Sequence, residues 1–210
     1  MLTLALETST PQGSLALFEG DSLVEERTFQ AVRGHNSKIF ASLRDLLELL
    51  EGKNLTRVVV GTGPGSYAGV RISISIADAL ALSHDAALIG CSSLIAAEGV
   101  SETERCWLVG DARRHTWYRA EIQDGKLSGH IIVEDREAWE RAVCQALEEG
   151  ISVHTFDPES PLSGVMLNVP TAARLGAISF EMTPNPGPVE PSYLAAPFIT
   201  QPKKRGKSVP

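Results

Sequence analysis

One succession of elements is written twice along this chain, and it restricts the fold more than any other feature. Leu2, Leu4 and Leu6 alternate as in a strand, and Pro11-Gln12-Gly13 has turn chemistry. Residues 14–18 and 23–29 then read as strands separated by a turn at Gly20-Asp21. Turns this short join neighbours, so an antiparallel meander is expected. A helix over residues 37–50, a buried strand at Val58-Val59-Val60, a helix reaching about Leu82 and a strand over 86–90 follow. From Cys106 the series returns. Strands are expected over 106–109, 117–122 and 127–133, the last two joined by the Asp124-Gly125 hairpin signal. Ala138, Trp139, Ala142, Val143, Ala146 and Leu147 mark a helix stopped by Gly150. A strand over 151–156 and a short helix over 171–178 close the series. Three strands, helix, strand, helix thus occurs twice, about 100 residues apart, shared in order rather than in sequence. Strands alternating with crossover helices specify an α/β chain.

Composition removes several classes. With 43% apolar and 21% charged residues the chain is of ordinary globular type, and 210 residues make one large domain or two small ones. No apolar run approaches the roughly 20 residues of a membrane-spanning helix. The first residues lack the basic region and long apolar core of a signal peptide, so no membrane is expected. Three widely spaced cysteines, Cys91, Cys106 and Cys144, form no Cys-x-x-Cys pair. They argue against a disulfide framework or a structural zinc site, and for a reducing cytoplasm. Net charge is −7, although Lys203, Lys204, Arg205 and Lys207 crowd into the last nine residues. An acidic body lacks the broad positive surface that drives nucleic-acid binding through counterion release. Seven of the twelve prolines lie in the final 27 residues. These read as an extended strap that ends in a basic, disordered tail over 201–210.

Two helices carry open questions. In the first, which Asn36 or Ser37 can cap, Ile39, Phe40, Leu43, Leu46, Leu47 and Leu50 fall on an arc of about 120°. Leu49 lies outside that arc, so the apolar surface is wider than one sheet contact requires. Either the helix is buried on two sides within its own chain, or it also offers a face to another protein. In the second, Ile72, Ile74 and Ile76 alternate with serines, whereas Val70, Ile74, Ala77 and Ala81 have helical spacing. Its place after a strand-to-crossover turn decides for helix.

That turn, Gly61-Thr62-Gly63-Pro64-Gly65-Ser66-Tyr67-Ala68-Gly69 with Arg71 beyond, is the strongest local signal. Glycines between strand and helix let backbone amides converge on an anion, or simply set the helix close against the sheet. A P-loop is excluded, because no lysine stands in it. A dinucleotide site is also disfavoured: the acid that should end the next strand, Asp85, precedes that strand instead. Glu7-Thr8-Ser9-Thr10, ahead of a hairpin, is either a capped turn or a loop whose hydroxyls and amides face a phosphate. His35, His84, His115, His130 and His154 show no His-x-x-x-His spacing, so no helix-borne metal pair is present. Pro64, two residues before Ser66, removes a nucleophile elbow. Asp111, Arg113 and His115 cluster in a hairpin turn, where solvated or mutually paired side chains are expected before acid–base chemistry.

Six segments carry a resemblance. Gly63-Pro64-Gly65-Ser66-Tyr67-Ala68-Gly69-Val70-Arg71 is similar to Gly-Pro-Gly-Ser-Phe-Thr-Gly-Leu-Arg, and Glu7-Thr8-Ser9 to Asp-Thr-Ser. His35 matches an isolated histidine before the first helix, and Ser92-Ser93-Leu94 a Ser-Ser-Leu. Asp111-Ala112-Arg113-Arg114 through Tyr118 matches an Asp-Ala-Arg segment, and Pro191-Ser192-Tyr193-Leu194 a Pro-x-Tyr-Leu ending. In order and spacing these resemble the TsaB (YeaZ) family of the bacterial tRNA threonylcarbamoyladenosine pathway.

The resemblance implies an actin-like (ASKHA, ribonuclease-H-like) duplicated α/β fold, two βββαβα-type halves with mixed sheets flanked by helices. An N-terminal half over 1–100 would carry the partner-docking helices, with a smaller C-terminal half over 101–200. The related transferase TsaD has a metal-binding His-x-x-x-His just after the strand that matches 86–90. Here that stretch reads Cys91-Ser92-Ser93-Leu94-Ile95-Ala96-Ala97. The resemblance therefore implies a non-catalytic scaffold, with no metal site and no catalytic residue. Its implied partners are TsaD and the ATPase TsaE, a second copy of itself when alone, and tRNA only indirectly through the complex. The docking residues it implies are Ile39, Phe40, Leu43, Leu46, Leu47, Leu50, Arg71 and Ile74. No cofactor is expected on the chain alone. ATP or ADP, at Glu7, Thr8, Ser9, Gly63, Gly65 and Ser66, is expected in the assembled complex if anywhere. Two rivals remain: a stand-alone actin-like ATPase or glycoprotease-like peptidase, and a plain tRNA-binding module.

Overall fold

The computed structural model describes residues 1–30, 37–100, 105–160 and 162–194. Asn36, His35 and the basic tail over 201–210 lie outside these residues. The first sheet has β1 (Leu2–Glu7), β2 (Gln12–Glu19), β3 (Ser22–Gln30), β4 (Arg57–Gly61) and β5 (Ala87–Cys91), in the order β3-β2-β1-β4-β5. The expected meander is present, with Leu4 opposite Leu17 in the antiparallel β1–β2 pair. β1, β4 and β5 run parallel, with Leu4 opposite Val58 and Val59 opposite Ile89.

β1 is buried on both faces. Leu2, Leu4 and Leu6 pack with Ile39, Leu43 and Leu46 of α1 (Ser37–Glu48) and with Val70 and Ile74 of α2 (Tyr67–His84). The ambiguous isoleucine run is helical because Val70, Ile74, Ala77 and Ala81 form one apolar stripe on the sheet. Buried Ser73 is accommodated there by giving its hydroxyl to the Val70 carbonyl at 3.0 Å.

The other face of the sheet, built by Ala5, Ala16, Val59 and Ile89, receives Leu175 of α4 (Ala172–Ser179). Small residues let α4 approach closely: a Cβ on Gly176 would strike the Phe18 ring. Ser14 Oγ accepts from the Ala172 amide at 2.7 Å, and Glu26 Oε1 from the Ala173 amide at 3.0 Å. These bonds satisfy amides that a helix start leaves without partners.

The second sheet has β6 (Arg105–Arg113), β7 (Thr116–Gln123), β8 (Lys126–Asp135), β9 (Ser152–Thr155) and β10 (Met166–Leu167). Its order, β10-β9-β6-β7-β8, repeats the first with β6 where β1 stands. α3 (Arg136–Glu148) covers one face through Trp139, Val143 and Ala146. The repeat is imperfect in a way the element order did not reveal. Among the described residues no helix joins β9 to β10, and the helix expected to close the second half, α4, packs on the first sheet instead.

Beyond α4 the chain is the expected strap. It seals edge strand β5: Asn185 donates its amide to the Leu88 carbonyl (3.0 Å) and accepts from the Gly90 amide through Oδ1 (2.8 Å). Covering an exposed strand edge in this way prevents pairing with other chains.

Candidate functional site

The two loops singled out by sequence meet face to face. Glu7, Thr8, Ser9 and Thr10 leave β1 buried beneath the glycine turn that follows β4. Ser66 donates its amide to the Ser9 carbonyl at 2.6 Å, and Thr8 Oγ1 donates to the Gly69 carbonyl at 2.8 Å. Three glycines make the approach possible. A Cβ on Gly61 would collide with the Glu7 carboxylate, one on Gly65 with the Ser9 carbonyl, and one on Gly69 with the Thr8 carbonyl.

Four amides of the glycine turn, Ser66 among them, are already bonded within the chain. The Thr62 amide binds the Cys91 carbonyl at 2.8 Å, Gly63 the Ser93 hydroxyl at 3.0 Å, and Gly69 the Ser66 hydroxyl at 3.2 Å. The Ser93 amide returns to the Gly63 carbonyl at 3.0 Å, and the strap adds Ser192 N–H to the Thr62 carbonyl at 2.8 Å. Glu7, Thr8, Ser9, Gly63, Gly65 and Ser66 are thus brought together, but as a backbone clasp fastening the start of α2 to β1.

Electrostatics agree with a clasp. Glu7 has no exposed surface; its Oε1 accepts from the Ser9 amide at 2.7 Å, while Oε2 meets no donor in bonding geometry among the described residues. Burial pushes its carboxyl above the ordinary range, offset only in part by bonds to Ser9. Burial, reinforced by Glu7, pushes the Cys91 thiol up to about 12, so it is not a thiolate nucleophile at neutral pH. Among the described residues no three His, Cys, Asp or Glu side chains converge to hold a metal ion. Buried His154 shares a 2.6 Å hydrogen bond between Nδ1 and the side-chain amide of Asn168, and burial lowers its pKa. Only the fold brings Asn168 to it, so no spacing could have signalled it.

The expected docking residues divide. Ile39, Leu43, Leu46, Leu50 and Ile74 lie in the core of the first sheet and Leu47 is half-buried against it. Apart from Phe40, the 120° arc is the sheet-facing side of α1. Phe40 remains 54% exposed. Arg71 lies over the rings of Tyr67 (3.4 Å) and Tyr193 (4.6 Å), which ties the strap to α2. The outer side of α2 carries Ala68, Ser75, Ala79 and Leu82, the last 86% exposed, with Ile72 half-buried among them and packed against the core. Their spacing of four and three is that of a helix-pairing seam. Just past the end of α1, Leu49 is also exposed.

A family model described as TsaD, tRNA N6-adenosine threonylcarbamoyltransferase, matches residues 29–147. The tRNA threonylcarbamoyladenosine biosynthesis protein TsaB of Escherichia coli K12 is 36% identical over 130 residues, 59% of this chain and 55% of that protein. The protein of the same description from Bacillus subtilis 168 is 33% identical over 122 residues, 56% of this chain and 53% of its own. The chain spans about half the length of the curated relatives it matches. Among solved structures, a Pseudomonas aeruginosa protein described as having similarity to peptidase YeaZ superposes with a TM-score of 0.67 at 23% identity. That match covers 92% of this chain and 99% of the other. Two sheets of one strand order flanked by helices are the duplicated α/β fold of actin-like proteins, as expected.

Proposed function

The chain belongs to the family of TsaD, tRNA N6-adenosine threonylcarbamoyltransferase, and from that membership we propose that it serves tRNA threonylcarbamoyladenosine biosynthesis as a non-catalytic subunit. It would bind and activate TsaD, in an assembly joined by TsaE, and pair with itself through the same helices when alone. tRNA would reach it through the complex, and a nucleotide would be held only there. The occupied amides of the glycine turn and the suppressed Cys91 thiol support a chain that contributes contact rather than chemistry. No helix among the described residues is long and apolar enough to cross a membrane, and the three cysteines are free, which supports a reducing cytoplasm.

The observation that carries this reading is the outer row of α2, in which an almost fully exposed Leu82 extends a seam of small and apolar residues. A second helix laid along that row would bury it. Leu43 and Leu46 are unsuitable probes, since a charge there would be buried in the core. Leu82→Glu leaves the core untouched. Wild-type chain should co-purify with TsaD of the same organism, and Leu82→Glu should not, while melting at the wild-type temperature. Absence of a wild-type complex at micromolar concentrations, or a variant that pairs as well, overturns the proposal.

A further inference from the structure

We propose that the tip of the β6–β7 hairpin binds phosphate groups of an RNA strand. Arg113, Arg114, His115 and Arg136 line a hollow of about 370 Å³ together with Asp111 and Trp117. Naming RNA as the source of the phosphates rests on the function proposed above; the anion site itself does not.

The backbone gives the first reason. Arg113 pairs with Thr116, which leaves Arg114 and His115 as a two-residue turn with φ of +54° and +64°. Arg113 is left-handed too, at +73°. A hairpin turn with both central φ positive ordinarily uses Asn-Gly or Asp-Gly. The other hairpin of this sheet does so, with Asp124 at +50° and Gly125 at +70°. At the β6–β7 tip the chain instead holds three bulky residues in a conformation L-residues avoid. Asp111 Oδ1 fixes it by accepting from the Arg113 amide (2.6 Å), and the Thr116 hydroxyl binds the Arg113 carbonyl (2.7 Å). Residues kept against their backbone preference cluster where chemistry outweighs stability.

Charge and surroundings give the second. On a chain of net charge −7, three arginines line one hollow. Arg113, 84% exposed, pairs with Asp111 at 3.2 Å, and Arg136 with Glu140 at 2.6 Å. Exposed pairs of this kind are weak, so a guanidinium fork exchanges its carboxylate readily for a phosphate, to which it donates two bonds. The Trp117 ring, stacked on buried Trp139 at 4.5 Å, adds a flat apolar flank suited to a base or ribose. The corresponding hairpin of the first sheet, β1–β2, is closed under the glycine turn; this one stands open.

The test measures anisotropy of a fluorescein-labelled RNA stem-loop with the full chain at low salt. The triple variant Arg113→Asn, Arg114→Asn, His115→Gly removes two charges and installs residues that tolerate a left-handed backbone. It should melt at or above the wild-type temperature and bind RNA about tenfold more weakly, with the salt slope flattened by about 1.4–1.8. Arg136→Gln, on a separate element, should weaken binding in the same direction. Arg141→Gln, which removes a charge farther along α3, should change affinity less than about twofold. Undiminished RNA binding by the triple variant, an equal loss in Arg141→Gln, or no binding by the wild type overturns the proposal. So does a hairpin-dependent affinity for tripolyphosphate without one for RNA. Co-purification of the triple variant with TsaD reads the docking proposal separately, and it should be unchanged.

Discussion

The Ser66 amide reaches the Ser9 carbonyl at 2.6 Å, so the first hairpin and the glycine turn are one unit. A Cβ on Gly65 would occupy the space of that same carbonyl. The glycine there serves the approach of two backbones rather than the approach of a ligand.

Gly65→Ala should therefore force the two loops apart and cost about 1–3 kcal/mol of stability, as overpacking does in a close-packed interior. Gly187→Ala, where no atom lies within 4 Å, should stay within about 0.5 kcal/mol of wild type. Urea unfolding of both variants checks the contrast.

Glu7 imposes a pH dependence of unusual sign. Burial raises its folded-state pKa, so between the ordinary value of 4.5 and the raised one the folded chain binds more protons than the unfolded chain. Stability from this group is full below pH 4.5 and falls as pH rises through that window. Glu7→Gln, which removes the ionisable proton, should raise the melting temperature more at pH 8 than at pH 5. An equal change at both pH values would count against it.

His154 acts in the opposite direction. Its burial lowers the pKa from 6.5, so the unfolded chain takes up a proton first as the solution is acidified. Its contribution is present above pH 6.5 and is lost as pH falls toward the lowered value. His154→Gln should flatten the acid side of the stability profile, whatever its effect on stability at pH 8. Thermal melts across the acid range check this.

Asn185 holds the strap to β5 through a side-chain bond at 2.8 Å. Asn185→Ala should cost about 1 kcal/mol, the worth of one hydrogen bond between partly exposed groups. Hydrogen exchange should localise the loss, with the Gly90 amide exchanging faster and the amides of β1 unchanged.

Much of the fold is legible in the sequence because its signals are local. The stripe of Val70, Ile74, Ala77 and Ala81 identifies α2 despite the isoleucine–serine alternation, and Asp124-Gly125 identifies its hairpin. The glycine turn is legible as a place of close approach, but not what approaches it. Glu7 to Thr10 lies more than fifty residues away in sequence, and no local pattern says that its carbonyls fill the space above Gly65 and Gly69. The β6–β7 hairpin turn is legible too, but not the positive φ of Arg114 and His115, a conformation neither residue type ordinarily adopts.

Periodicity and turn chemistry, which act between residues a few positions apart, determined by themselves the strands other than β10, the helices and their repeated order. Tertiary structure alone decided that Phe40 stays outside the buried side of α1, that α4 crosses to the first sheet, and that the row left open runs along α2 through Leu82. Those outcomes depend on which surfaces remain after distant segments have packed, and burial is a property of the assembled layers rather than of any one segment.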